Sequence, residues 1–102
     1  MIYEHRTYSI LPGKMAEFTE AFGTIVPLFA KHGAKLVGAW QTSIGTSNEF
    51  VYILGFENLG AQEKFWASLR QDPEMKVYMA GGVRTDHVVN KMLRPVACSP
   101  LQ

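Results

Sequence analysis

The sequence lacks several features that would point to a particular class of function. It contains one cysteine, Cys98, which excludes an intrachain disulfide and a thiolate cage around a metal. Lys and Arg number 10 against 9 Asp and Glu, so no overall charge attracts nucleic acid or an acidic membrane surface. The apolar runs are much shorter than a membrane span, and no basic and apolar leader opens the chain. We therefore expect a soluble cytoplasmic protein without nucleic-acid or membrane partners.

Recognisable catalytic and metal-binding motifs are also missing. His5, His32 and His87 do not fall at metal-ligand spacing, so we expect no metal site. The chain contains no serine elbow and no glycine loop of the kind that binds phosphate. We expect no cofactor, and the sequence by itself names no reaction.

The 102 residues are enough for one domain with its own core. We assign residues 1–95 to that domain and residues 96–102 to a C-terminal tail. Residue periodicity predicts the order of elements, with a kink or break near Gly23 to Val26 because Pro27 lies in the first helix. The predicted elements are a strand over Ile2–Ile10, a helix over Lys14–His32, strands over Lys35–Ile44 and Asn48–Glu57 joined by a short turn, a helix over Ala61–Arg70, a short helix starting at Asp72-Pro73-Glu74, and a strand over Val83–Leu93.

This order predicts an α+β fold, the ferredoxin-like βαββαβ sandwich. Both main helices then lie on one face of a four-stranded antiparallel sheet. Right-handed crossovers place the first and third strands in the centre of the sheet and the other two at its edges.

The third strand is apolar on both faces. One face carries Phe50, Tyr52, Leu54 and Phe56, and the other carries Val51, Ile53 and Gly55. A strand with one face in water would instead alternate apolar and polar residues. The helices can cover one face only, so we expect a second copy of the chain to cover the other. The partner expected is therefore a homodimer formed through the sheet faces, with a higher homo-oligomer as an extension.

Several short motifs, in order and spacing, resemble the NIPSNAP family over roughly Ile2 to Met79. They are Tyr3-Glu4-x-Arg6-Thr7-Tyr8, Pro12-Gly13-Lys14, Leu36-Val37-Gly38-x-Trp40, Ile44-Gly45, the run Val51 to Phe56, and Asp72-Pro73-Glu74. The resemblance implies a dimeric α+β barrel, which agrees with the burial argument. It carries no catalytic residues onto this chain, and it marks His5 as a departure from a usually apolar position.

The first strand supplies two candidate sites. His5 could act as an acid, base or ligand in a pocket, but a histidine satisfied by a neighbour or partly exposed is the preferred interpretation. Glu4, Arg6 and Tyr8 share one face at intervals of about 7 Å and could bind an anion. A structural ion pair between Glu4 and Arg6 is the preferred alternative.

Aromatic residues supply the remaining candidates. They could surround an aromatic ligand, although aromatics at core spacing more often belong to the core. The set is Trp40, Tyr52, Phe65, Trp66 and Tyr78, and His87 on the last strand is a further polar candidate.

Three functions are compatible with these residues. The first is a homo-oligomeric binding or interaction protein with a cavity for a small apolar or aromatic molecule. The second is a cofactor-independent enzyme, a monooxygenase or isomerase acting on an aromatic or quinone-like substrate with His5, Arg6, Tyr8 or His87 as polar groups. The third is a haem-binding protein with a histidine as axial ligand. We adopt the first and keep the second as the alternative.

Overall fold

The computed structural model describes residues 1–102 and confirms the predicted ferredoxin-like α+β fold. Its elements follow the predicted order, with a short third helix inside the second crossover. They are β1 (Ile2–Ile10), α1 (Met15–Lys31), β2 (Lys35–Gln41), β3 (Glu49–Phe56), α2 (Leu59–Gln71), α3 (Pro73–Met79) and β4 (Thr85–Leu93).

The four strands form one antiparallel sheet in the order β2-β3-β1-β4, as predicted. The register of the central pair places Arg6 opposite Tyr52 and Tyr8 opposite Phe50. Because side chains alternate along a strand, this register decides which residues of β1 share a face with the aromatic residues of β3.

Helix α1 packs on the sheet through an apolar stripe that recurs every three or four residues. The stripe is buried and consists of Phe18, Phe22, Ile25, Leu28 and Phe29. The helix runs unbroken through Pro27, so of the predicted kink or break the break is wrong, and the kink stays a prediction. Gly23 and Pro27 are both exposed, and water can therefore bind the Gly23 carbonyl that Pro27 leaves without its usual donor.

The connection between β2 and β3 is longer than predicted. The strands end at Gln41 and resume at Glu49, so residues 42–48 form an exposed loop rather than the short turn of the prediction. Asn48 closes this loop with φ 56°, a conformation that ends regular strand pairing. β4 likewise begins two residues later than predicted, at Thr85.

The short helices start where local capping allows. The Asn58 side chain accepts a hydrogen bond from the Ala61 amide at 2.9 Å, so α2 begins two residues before the predicted Ala61. The predicted cap of α3 is confirmed, because Asp72 accepts from the Glu74 amide at 2.9 Å and Pro73 occupies the first turn. None of the helices has the length and apolar character needed to cross a membrane.

The two faces of the sheet differ in their surroundings. We call the face under the helices the covered face; it carries Glu4, Arg6 and Tyr8 together with Phe50, Tyr52, Leu54 and Phe56 of β3. The opposite side we call the open face, since no helix lies on it. By the strand register it carries Tyr3, His5, Thr7, Gly38, Trp40, Val51, Ile53, His87, Val89, Lys91 and Leu93.

Part of the open face is exposed to solvent. Trp40 and Val89 are 52% and 42% exposed, and the Trp40 ring lies across Gly38, where no side chain would fit. At one end the tail returns to the sheet, and the Tyr3 hydroxyl donates to the Gln102 carbonyl oxygen at 3.1 Å.

Candidate functional site

A cleft of about 1000 Å³ lies between the covered face and the helices, and it is partly open to solvent. β1, β3 and β4 form its base. Residues of all three helices and of the segment leading into β4 form its walls and rim. Fourteen of its 23 lining residues are hydrophobic, so the cleft suits an apolar molecule better than a highly polar one.

Glu4 anchors a polar row at the base of this cleft. Its side chain is fully buried, and each carboxylate oxygen accepts two hydrogen bonds. Oε1 accepts from Gln62 Nε2 at 2.9 Å and Trp66 Nε1 at 2.8 Å, while Oε2 accepts from Arg6 Nη1 at 2.6 Å and Asn90 Nδ2 at 3.3 Å. Burial alone would raise the pKa of Glu4, but these hydrogen bonds outweigh it and hold the pKa below its usual value. Glu4 is therefore an ionised, fully partnered carboxylate.

Arg6 is the second member of the row and forms the predicted ion pair with Glu4. Its Nε and Nη2 also approach the Tyr8 hydroxyl oxygen, at 3.4 and 3.2 Å. The guanidinium carbon lies 4.4 Å from the centre of the Trp66 ring, so its planar face rests on an aromatic surface. The side chain remains 14% exposed and can be reached from the cleft.

Tyr8 and Tyr52 complete the row. Their hydroxyl oxygens lie 2.8 Å apart, and their rings meet edge to face with centroids 5.4 Å apart. Tyr52 is only 2% exposed, and burial, reinforced by the neighbouring Tyr8, raises its pKa well above the ordinary value. It is thus a neutral hydrogen-bonding phenol, not a source of phenolate.

Basic side chains surround the apolar walls of the cleft. Arg6, Arg70, Lys76 and Arg84 are all lining residues, whereas Glu4 is the only lining acid. Arg84 is fixed at the rim because its Nε donates to Glu17 Oε2 at 3.0 Å. Glu4 offsets Arg6 and Glu17 offsets Arg84, so the excess positive charge of the lining comes from Arg70 and Lys76, which are exposed.

The structure separates the predicted site residues into two groups. Arg6, Tyr8, Tyr52 and Trp66 converge on the cleft, and Tyr78 lines its outer part. Phe65 is fully buried in the core and does not line the cleft.

The other predicted residues lie on the open face, so their assignment to a cavity with Arg6 and Tyr8 is wrong. The register pairs His5 with Ile53, His87 with Ser9 and Trp40 with Val51, and all of these point away from the helices. The cause is the two-residue alternation of a strand, which sends neighbours to opposite faces. His5 makes no side-chain hydrogen bond and is half-buried, which agrees with the partly exposed interpretation.

Sequence reasoning missed Gln62 and Asn90, the amide partners of Glu4. They lie 58 and 86 residues from it along the chain. The four-residue spacing of Gln62 and Trp66 places both on one side of α2, and this was the only local signal available.

A second polar cluster, also missed, joins the three helices. Asp72 Oδ2 accepts from Lys31 Nζ at 2.8 Å and lies 2.7 Å from His32 Nε2, while His32 Nδ1 lies 3.0 Å from Ser68 Oγ. Hydrogen bonds from Lys31 and His32 lower the pKa of Asp72 well below its usual value. The cluster ties the start of α3, which lines the cleft, to the end of α1. No group of three or more His, Cys, Asp or Glu side chains is arranged to hold a metal ion.

Comparison with known proteins places this geometry in context. A sequence model of the NIPSNAP family matches residues 3–100. A NIPSNAP family protein of unknown function from Agrobacterium tumefaciens is 28% identical, with a TM-score of 0.92 over 100% of this chain and 94% of that one. An uncharacterised NIPSNAP domain protein from Burkholderia xenovorans is 27% identical, with a TM-score of 0.86 over 98% of this chain and 99% of that one.

More distant similarity extends to an enzyme of the same fold. An antibiotic biosynthesis monooxygenase superposes with a TM-score of 0.72 over 94% of this chain and 99% of that one. At 11% identity this likeness concerns the fold alone. No functionally curated protein matches the chain.

Proposed function

Because the chain belongs to the NIPSNAP family, whose solved members share its fold, we propose that it is a homodimeric protein that binds a small apolar or aromatic molecule in the cleft. The observation that carries the proposal is the polar row of Glu4, Arg6 and Tyr8 at the base of apolar walls. Binding sites typically combine an apolar lining with a few convergent polar groups in this way.

The cleft has the dimensions of a small-molecule site. Its volume of about 1000 Å³ lies at the upper end of the range for drug-sized ligands. Trp66 and Tyr78, both partly exposed, offer aromatic surface to a flat ligand. The exposed thiol of Cys98 is compatible with work in the reducing cytoplasm.

Calorimetric titration with a neutral aromatic probe, 2-naphthylmethanol, tests this function. Val88 lies on the cleft side of β4, so Val88→Trp should fill the cleft and weaken binding at least about tenfold. Val77 is 75% exposed on α3 and lines no part of the cleft. Val77→Trp therefore adds the same side chain elsewhere and should leave the affinity unchanged. Equal affinities for both variants would contradict the proposal, and so would a wild-type protein that binds neither this probe nor its carboxylate analogue 2-naphthoate.

The proposed dimer joins two open faces. Four strands spaced about 4.8 Å apart, each about 25 Å long, present about 500 Å² per subunit. The resulting total of about 1000 Å² is close to the lower limit for a specific interface, so we expect dissociation in the micromolar range. Sedimentation equilibrium over a range of protein concentrations checks this, and a monomer at all of them would contradict it.

A second candidate function is cofactor-independent catalysis on an aromatic or quinone-like substrate. The observation that favours it is the juxtaposition of the Arg6 guanidinium and the Tyr8 hydroxyl, 3.2 Å apart, at the base of the cleft. Such donors can stabilise negative charge that develops on a substrate oxygen. Oxygen consumption in the presence of 1,4-naphthohydroquinone, lost in Tyr8→Phe, would distinguish catalysis from binding. Haem binding is less favoured, because no histidine lines the cleft.

A further inference from the structure

We infer that the ligand of the cleft is an aromatic carboxylate, bound with its carboxylate on Arg6 and the Tyr8 hydroxyl and its ring between the apolar walls. This inference rests on the proposed function and specifies its ligand class. The hydrogen-bond inventory of the polar row, the charges around the cleft and the nature of its walls each support it.

Arg6 has donors that the protein does not use. A guanidinium carries five N–H groups, one on Nε and two on each terminal nitrogen. Nε and Nη2 each direct one N–H to the Tyr8 oxygen, and Nη1 directs one to Glu4. One N–H on each terminal nitrogen therefore remains for a ligand. Either of them can donate a charge-assisted hydrogen bond to a carboxylate oxygen.

Tyr8 has a hydrogen to donate as well. The buried Tyr52 hydroxyl has the Tyr8 oxygen as its only hydrogen-bond partner. If Tyr8 donated to Tyr52, the Tyr52 hydrogen would be left without an acceptor in the core, which is unfavourable. Tyr52 therefore donates to Tyr8, whose oxygen also accepts from Arg6. The Tyr8 hydrogen stays available to the cleft that Tyr8 lines.

The charges around the cleft favour an anion. Glu4 accepts four hydrogen bonds and has no lone pair left for a ligand, so it cannot balance an incoming cation. Arg70 and Lys76 add positive charge to the lining without any carboxylate partner in hydrogen-bond contact. A neutral ligand would leave this field unused, whereas a carboxylate complements it.

The walls favour a flat apolar body. Trp66 and Tyr78 are partly exposed lining residues, and Trp66 flanks Arg6. A carboxylate with no ring would leave these surfaces in contact with water, and an aliphatic chain would lose the ring contacts that aromatic pairs provide. An aromatic ring carrying a carboxylate uses both the walls and the donors.

Calorimetric titration with three related probes tests the inference. They are 2-naphthoate, which has the proposed carboxylate, 2-naphthylmethanol, which is neutral, and 1,4-naphthoquinone, which is a neutral acceptor. We expect 2-naphthoate to bind at least about tenfold more tightly than either neutral probe, because its hydrogen bonds are charge-assisted.

The Tyr8→Phe variant tests whether the carboxylate of 2-naphthoate binds at the polar row. It should weaken 2-naphthoate binding about tenfold and 2-naphthylmethanol binding by clearly less, because a hydrogen bond to the neutral alcohol is not charge-assisted. Tyr3→Phe is the matched control, because it also removes a hydroxyl that makes one hydrogen bond, but on the open face. If Tyr8→Phe does not fold, Arg6→Lys takes its place; it keeps the charge opposite Glu4 but removes the planar set of N–H donors.

The outcomes separate this inference from the proposed function. Equal binding of 2-naphthoate and 2-naphthylmethanol, or tighter binding of the quinone, would overturn the carboxylate assignment and leave the small-molecule function standing. Binding of 2-naphthoate that neither Tyr8→Phe nor Arg6→Lys weakens would also overturn it. No binding of any of the three probes would reject both.

Discussion

Both faces of the sheet carry many apolar side chains, but the covered face also buries the carboxylate of an ion pair. On the covered face, Leu54 and Phe56 are fully buried, and so is the carboxylate of Glu4. On the open face, Val51 and Ile53 are half-buried and Trp40 is more than half exposed. The face that buries the most apolar surface is thus also the one that holds a buried ion pair. This combination supports the proposed site, because an ion pair in a core rarely improves stability over apolar packing.

The open face shows the converse. It leaves apolar side chains in contact with water, which is unfavourable for a single chain. Its polar residues make few contacts with each other. Exposed apolar side chains of this kind support the proposed interface, and the polar groups among the apolar residues of the covered face support the proposed binding cleft. We propose ligand binding for the covered face and self-association for the open face, so substitutions on the two faces should have different consequences.

Breaking the buried ion pair should have the largest effect. Arg6→Met leaves the Glu4 carboxylate buried without its charged partner, and we expect a loss of about 3 to 5 kcal/mol in the free energy of unfolding. Lys14→Met removes one partner of the half-exposed Lys14–Glu17 pair and should cost less than about 1 kcal/mol. Urea denaturation measures both. Similar losses for the two variants would show that Glu4 is solvated.

Shortening neighbouring side chains of β3 compares the two faces directly. Leu54→Ala creates a cavity on the covered face and should cost about 2 to 5 kcal/mol. Ile53→Ala, on the open face, should cost less in a dilute monomer and more at concentrations where the dimer forms. Urea denaturation at two protein concentrations gives the comparison. A neutral Leu54→Ala would mean that β3 is assigned to the wrong face.

A charge on the open face should separate the subunits. Val89→Asp places a carboxylate in the proposed interface, and we expect it to weaken association by about 2 kcal/mol, or about 30-fold in Kd. The fold should survive, because Val89 is exposed in a single chain. Sedimentation equilibrium measures the dissociation, and circular dichroism checks the fold. A folded Val89→Asp protein with unchanged self-association would exclude this face as the interface.

Acid should destabilise the protein through the covered face and the helix junction. The pKa values of Glu4 and Asp72 are lowered by folding, so the unfolded chain binds more protons than the folded one as pH falls. Their contribution to stability is present above their unfolded values of about 4 and is lost as pH falls below them. Urea denaturation between pH 3 and pH 7 should show this decline, with a shallower slope in Glu4→Gln and in Asp72→Asn. Unchanged slopes would contradict the assigned hydrogen bonds.

The sequence predicted the fold because its main signals are local. The stripe of Phe18, Phe22 and Phe29 specified α1, and the alternation from Phe50 to Phe56 specified β3. Local signals could not specify which face of β1 meets the helices. Both faces of β1 mix polar and aromatic residues, so His5 and Arg6 were equally eligible for the cleft. Only the pairing of Arg6 with Tyr52 decides between them, and that pairing is non-local.

The smallest effect expected in this comparison is that of His5→Ala. His5 carries the chemistry most often found in active sites, yet it lies on the open face, across the sheet from the cleft. We therefore expect His5→Ala to change the affinity of the cleft for 2-naphthoate by less than about twofold, which calorimetry resolves. Tyr8→Phe in the same titration gives the loss of affinity expected when a group that contacts the ligand is removed. A tenfold loss in His5→Ala would mean that the two faces are coupled, because no side chain of the open face can reach a ligand held at Arg6.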